Sequence, residues 1–337
     1  MTINHAFVTI PAEWEGHSCC YMSWAVHSEW GESHARVLEE LRAVISTIAE
    51  FETVRLLVPP KRMRQARQQR FPDSVKLMEA PVDDIWLRDI CPTFAISDGK
   101  PVAIDWNFNG WGSTRDRPRR PGDKVSTLMS FGCPRIAAPF IAEGGAFITD
   151  GHGTFITTKS CLLNPNRNPI TDQHAIEVFL RSIGARKVIW LEGDPEEPIT
   201  SGHIDGYVMF TSCCRLLVEG PSGNGGYLDE IRTRDIELLS NARNADGIPF
   251  TLRIFAPPSQ SLQRGRGPLF APVYLNSYLA NGAVIAPCFG EPESDKRAEE
   301  VLKTEFPGRV VRMLNIEHIA SGGGGIRCLT QPVPKHD

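Results

Sequence analysis

Between residues 29 and 51, apolar side chains recur at Val37, Leu38, Leu41, Val44, Ile45 and Ile48. Spacings of three and four predict a helix with one face turned inward. Residues 53–58 follow as a β-branched strand, stopped by Pro59 and Pro60. The same helix-then-strand step recurs along the chain. Thr171 is placed to cap a helix that runs to Ile183 and stops at Gly184, with a strand at 187–191. A helix over 226–245 is closed by Asp246 and Gly247 and leads into an extended 249–255. Ser294 would cap a helix to Phe306, and Pro307 and Gly308 then turn the chain into a strand at 309–313. A weaker copy lies at 61–70 and 75–78. Hairpin signals stand between the steps, at Asp98-Gly99 and Asp150-Gly151. The pattern predicts an α/β chain of about five repeats of two strands, a helix and a strand. No linker or composition break divides residues 1–337, so a single domain is expected. A doubly wound sheet is the plainer alternative for alternating strands and helices.

Composition narrows the function classes. A chain of 337 residues has ample material for a core without disulfide staples. With 36 basic against 40 acidic residues the net charge is −4, and a dedicated nucleic-acid binder would need a concentrated basic face. No apolar stretch approaches the length of a membrane span. Residues 1–5 lack both a basic stretch and a continuous apolar stretch, so secretion is not expected. Nine cysteines without C-x-x-C spacing fit neither a disulfide framework nor a structural zinc module. Free thiols in a reducing cytoplasm fit best.

The residues that suggest chemistry fall in predicted loops. Four glycines, Gly322 to Gly325, precede Ile326, Arg327 and Cys328. No Gly-Lys-Ser/Thr follows, and the run leads toward a strand rather than a helix, which excludes a phosphate loop and a dinucleotide fingerprint. Such glycines would let a bound group approach the backbone and would fix the angle of Cys328. Taken alone, Cys328 reads better as an inert core cysteine, since most free cysteines are small core residues. His203 and Asp205 are two residues apart, so on an extended segment both point the same way, giving an acid/base beside a carboxylate. A histidine in a polar turn explains them as readily, and no metal-ligand spacing accompanies them. Asp83, Asp84 and Asp89 crowd around Trp86 and repel one another unless a cation is bound or some stay solvated. Asp83 and Asp84 read as turn residues and Asp89 as the cation ligand. Glu143 stands before Gly144 and Gly145, and residues 105–112 form an aromatic and amide cluster that would wall a pocket or plug the core. One thiol, one imidazole and isolated carboxylates suit a planar guanidinium, whose shape and charge match paired carboxylates and whose carbon is open to a thiolate.

These motifs, in this order, resemble those of the agmatine deiminase and bacterial peptidylarginine deiminase family of guanidino-group-modifying enzymes. The resemblance spans nearly the whole chain, from Pro11-Ala12-Glu13-Trp14-Glu15 to Cys328-Leu329-Thr330-Gln331. It rests also on Trp86-Leu87-Arg88-Asp89, the Asp105 to Asn109 run, Glu143-Gly144-Gly145, the Leu162 to Pro169 run and Gly202-His203-Ile204-Asp205. It implies a five-bladed α/β propeller (pentein) of repeated ββαβ units, no cofactor or metal, and a homodimer. Carried over by position, Asp89 and Asp205 would clamp the guanidinium, and Cys328 would attack its carbon as the thiolate. His203 would protonate departing ammonia and then activate water, with Glu143 orienting it. Trp86, Trp111, Gly325 and Arg327 would face the substrate. The implied activity is a hydrolase of linear amidines, converting agmatine to N-carbamoylputrescine and ammonia. Arginine or another guanidino substrate, amidino transfer, and guanidino binding without turnover are the alternatives. The expected partner is a small guanidino compound, with neither nucleic acid nor membrane.

The sequence departs from the family pattern away from the chemistry. Residues 24–30 read Trp-Ala-Val-His-Ser-Glu-Trp where W-P-E-R-x-D-N-W is usual, Gly110-Trp111-Gly112-Ser113 replaces A-W-G-G, and Arg327 replaces a common histidine. Cys288 stands where glutamine is frequent. Arg327 and the Arg264-Gly265-Arg266 loop would suit a carboxylate on the substrate's far end; a structural Arg327 pointing away is the slightly preferred reading.

Overall fold

A 15-residue helix, α1 (His34–Ile48), buries Val37, Leu41, Val44, Ile45 and Ile48 on one face, as its periodicity requires. It is shorter than the 29–51 expected, because Ser28–Ser33 is a 3-10 segment broken at Gly31, whose φ is +52°. The computed structural model describes residues 8–114, 117–170, 172–258, 262 and 266–336. Three further long helices follow: α2 (Gln173–Ser182), α3 (Tyr227–Asn241) and α4 (Pro292–Glu305). Asp172 caps α2 by accepting from the Ala175 N–H at 2.8 Å; Thr171 lies outside the described residues. Proline at the start of α4, rather than a Ser294 cap, sets its first turn.

The strands form five small sheets. Three are direct copies of one unit. Ile148–Thr149 runs antiparallel to Thr154–Thr158, which pairs in parallel with Lys187–Leu191 across α2. Val208–Ser212, Arg215–Glu219 and Thr251–Phe255 repeat this around α3, and Tyr278–Ala280, Ala283–Cys288 and Val310–Asn315 around α4. Each parallel pair needs a crossover, which the helix supplies. These are the ββαβ units expected of the propeller.

The other two sheets vary the theme. Thr93–Ser97 and Lys100–Asp105 form the hairpin predicted at Asp98-Gly99, with Ser97 opposite Lys100. Val8–Thr9 adds one edge and Arg135–Ala137 the other. The crossover here has only short helical turns, Pro121–Lys124 and Val125–Leu128, and is held by ion pairs instead. The last sheet joins the chain's two ends. Gln331–Pro334 lies antiparallel to His17–Ser23, which continues in parallel through Val54–Val58 and Val75–Glu79. The ββαβ unit of this blade is therefore completed only by the final strand.

Candidate active site

In each sheet the strand that opens the ββαβ unit is preceded by a turn that carries a polar side chain into one shared region. The turn before Thr93–Ser97 is the short helix Leu87–Ile90 with Asp89, not the strand end that the sequence suggested. Glu143 precedes the Gly144–Ala146 turn ahead of Ile148–Thr149. His203 and Asp205 flank and enter the Ile204–Gly206 turn before Val208–Ser212, so a tight turn rather than an extended segment brings them together. Asn276 stands two residues before Tyr278–Ala280. Cys328 lies in the Arg327–Leu329 turn before Gln331–Pro334, where a strand was expected.

The five candidate catalytic groups converge. His203 Nε2 is 2.9 Å from Glu143 Oε1, while its Nδ1 lies 3.9 Å from Asp89 Oδ2 and 3.8 Å from Asp205 Oδ1. Cys328 Sγ is 4.0 Å from Asp205 Oδ2. Asp89 is held by two donors, Trp111 Nε1 at 2.9 Å to Oδ2 and the Gly145 N–H at 2.8 Å to Oδ1. Gly145 must be glycine here: a Cβ would sit 2.5 Å from His203 Nδ1 and 2.9 Å from Asp89 Oδ1. Gly324 is equally constrained, its Cβ position being 2.5 Å from the Trp86 ring.

Burial and charge set the protonation states. Glu143 is fully buried, which would raise its pKa, but Arg167 and His203 outweigh that and hold it at about 2. Burial opposes a charged His203, yet Asp89 and its hydrogen bond to Glu143 lift its pKa well above the usual histidine value. Both contacts favour the imidazolium over the neutral ring. Burial, then Asp205 and Asp89, push the Cys328 thiol up to about 12, so the resting sulfur is protonated. Burial also raises Asp89, with Glu143 and Asp205 adding to the effect against His203 and the Trp111 hydrogen bond.

Two residues of this assembly had no assigned role in the sequence reading. Arg167, inside the Leu162 to Pro169 run, donates from Nε and Nη2 to the Glu143 oxygen that also meets His203, at 3.1 and 2.7 Å. It also reaches Ser201 Oγ and the Thr200 carbonyl, pinning the loop before His203. Asn276 accepts from the Cys328 N–H at 3.2 Å and donates to the Asp205 carbonyl at 3.4 Å. Its place before a first strand was the available signal.

The expected substrate-facing residues divide. Trp86 packs against the glycine run and lies 6.3 Å from Trp30, and Gly325 abuts Asn276. Trp111 is tied to Asp89, with Arg117 stacked 4.7 Å over its ring. Arg327 is a correction: it neither points away nor greets a substrate carboxylate. The residue is 95% buried and its guanidinium is spent on Glu13 and Asp205, at 2.7 and 2.5 Å. Trp106 is core, stacked at 4.8 Å on Phe147. Asp84 is no mere turn residue; buried, it faces Arg117, Arg120 and His27, while Glu29 pairs with Arg120. The unusual 24–30 segment therefore supplies charge to this neighbouring cluster. Arg264 and Gly265 lie outside the described residues, and Arg266 pairs with Glu317 at 2.7 Å. Glu143, Cys161 and His203 bring donor atoms within 4.8 Å of one another, and Glu143 Oε1 is paired with Arg167 at 2.7 Å.

The chain belongs to the family described as Porphyromonas-type peptidyl-arginine deiminase, which it matches over residues 9–334. It is 33% identical to a putative agmatine deiminase of Legionella pneumophila, covering 97% of this chain and 94% of that protein. Identity to the agmatine deiminase of Medicago truncatula is also 33%, covering 96% of each chain. The solved agmatine deiminase of Enterococcus faecalis superposes with a TM-score of 0.89 at 27% identity, covering 97% of this chain and 96% of that one.

Proposed function

We propose that this protein is a deiminase of a small guanidino compound, a hydrolase of C–N bonds in linear amidines, with agmatine as first substrate. The observation that carries it is the convergence of one thiol, one imidazole and two carboxylates, with Cys328 Sγ 4.0 Å from Asp205 and His203 between Asp205 and Asp89. The guanidinium would lie between Asp89 and Asp205, charge-paired on both sides as a desolvated cation requires. Its arrival offsets the repulsion that keeps Cys328 protonated, and the thiol proton passes to solvent as the substrate charge enters. The thiolate forms a C–S bond at the guanidinium carbon. The C–N bond then breaks, and His203 gives the departing nitrogen its proton, releasing ammonia. His203, now neutral, takes a proton from water as the water adds to the thiouronium carbon. The C–S bond breaks as the added hydroxyl gives up its proton to solvent, returning the thiolate and leaving a neutral ureido product. Glu143, held ionised by Arg167, keeps His203 oriented through the cycle.

The same proposal takes residues 1–337 as one catalytic domain, supported by the uninterrupted match over 9–334. It includes a homodimeric assembly and a cytoplasmic location. All nine cysteines are free, which supports a reducing compartment. Among the described residues no helix is long and apolar enough to cross a membrane. The test is ammonia and ureido product from a panel of agmatine, arginine, peptidyl-arginine and other guanidino amines, run with and without an acceptor amine. Cys328→Ala should abolish both products; turnover retained in that variant would refute the mechanism.

A further inference from the structure

Arg327 stands immediately before the nucleophile, and its contacts are all internal. Nε and Nη2 approach Glu13 Oε1 at 3.1 and 2.7 Å, and Nη1 meets Asp205 Oδ2 at 2.5 Å. Nη2 also reaches the Phe147 carbonyl at 3.3 Å. Its backbone is held too: the N–H donates to the Asn276 carbonyl at 3.1 Å, and the carbonyl accepts from Arg88 Nε at 3.4 Å. Glu13 continues to Arg88 Nη1 at 2.9 Å. Arg88, Glu13, Arg327 and Asp205 thus form a chain of alternating charge that ends beside Cys328, and the same Asp205 oxygen serves both Arg327 and the thiol.

We infer that Arg327 is a positioning residue for the nucleophile: paired with Asp205 Oδ2, it offsets part of the negative charge 4.0 Å from Cys328 Sγ and so lowers the cost of forming the thiolate when substrate is bound. This deepens the proposed function and rests on it for the meaning of turnover. The charges around the site support it. The carboxylates of Glu13, Asp89, Glu143 and Asp205 are matched by Arg88, Arg167, Arg327 and the His203 imidazolium. A bound guanidinium and a thiolate then enter as a neutral pair. Without Arg327 the same site carries an uncompensated negative charge, which still welcomes a cation and resists an anionic sulfur. The groups facing Cys328 are Asp205 and His203 from one turn, Asp89 from another and the backbone at Gly325; burial with the two carboxylates already opposes ionisation.

The test is alkylation of Cys328 by iodoacetamide, a neutral reagent, followed against pH by peptide mass spectrometry, alongside turnover. In Arg327→Gln the profile should move up by at least one pH unit, making alkylation about tenfold slower at fixed pH. Turnover number should fall about as far without a rise in KM, and Arg327→Lys, which keeps the charge and loses the fork, should restore both only in part. Arg327→Gln combined with Asp205→Asn removes both charges of a buried pair, a change folds usually tolerate, and should return the alkylation profile to the wild-type range. An unshifted profile in Arg327→Gln overturns the inference. So does a raised KM at unchanged turnover number, which would make Arg327 a substrate ligand. Should Arg327→Gln fail to fold, a double-variant profile that stays above the wild-type range overturns it instead. Wild-type protein that releases no ammonia from any guanidino compound defeats the proposed function and leaves the alkylation comparison standing.

Discussion

A single indole shows how much of this site is orientation. Trp111 donates its only N–H to Asp89, a carboxylate whose pKa is already raised by burial. Trp111→Phe keeps most of the ring and removes the donor. A hydrogen bond to an ionised group contributes about 1.5–3 kcal/mol, so kcat/KM for the preferred guanidino substrate should fall about tenfold to a hundredfold. Steady-state kinetics check this, and an unchanged kcat/KM would show that Gly145 alone suffices to hold Asp89. The residue types of the site were legible in the sequence, because thiol, imidazole and carboxylates next to glycines have few other shared explanations. The roles of Arg167, Asn276 and Arg327 were not. An arginine's partner is fixed by three-dimensional approach, and Glu13 is 314 positions from Arg327 in the chain.

At the scale of elements, the repeat and the site are one design. Periodicity located α1, α2, α3 and α4 to within a few residues, since their buried faces are long enough to register. The short turns that precede each first strand left no periodic trace, and those turns carry Asp89, Glu143, Asp205, Asn276 and Cys328. Misreading two of them as extended segments follows directly, because a three-residue 3-10 turn offers no pattern to count. Asn276 ties the turn of one sheet to those of two others. Asn276→Ala should therefore lower the turnover number about tenfold with little change in far-ultraviolet circular dichroism. An unaltered rate would mean that the Cys328 backbone is held by the glycine run without it.

At the scale of the whole molecule, buried charge links activity to acid stability. Burial disfavours ionised Glu13 and Glu143, but Arg327 and Arg88 for the first, and Arg167 and His203 for the second, hold both at about 2 rather than 4.5. Groups with depressed folded-state values stabilise the fold above the unfolded value and lose that contribution as pH falls through the folded one. The urea midpoint should therefore decline from about pH 4.5 toward 2. The double variant Glu143→Gln, Arg167→Met should show a shallower decline, because the pair is removed without orphaning either charge. Equal slopes would indicate that other carboxylates govern acid unfolding. The fold class was readable at this scale because the helix–strand step recurs. Closure of the His17–Ser23 sheet by Gln331–Pro334 was not, because that pairing links positions more than 300 residues apart and no local signal reports it.

That late-arriving strand has a bearing on how the protein comes into being. The nucleophile sits three residues before it, and the sheet it completes includes His17–Ser23, among the earliest strands made. A ribosome must have extruded nearly everything up to residue 334 before that pairing can form. The growing polypeptide thus carries its acids and imidazole through more than 100 residues of synthesis, from Asp205 to Cys328, without its nucleophile, and reactivity toward guanidines is withheld until Gln331–Pro334 has been made and paired.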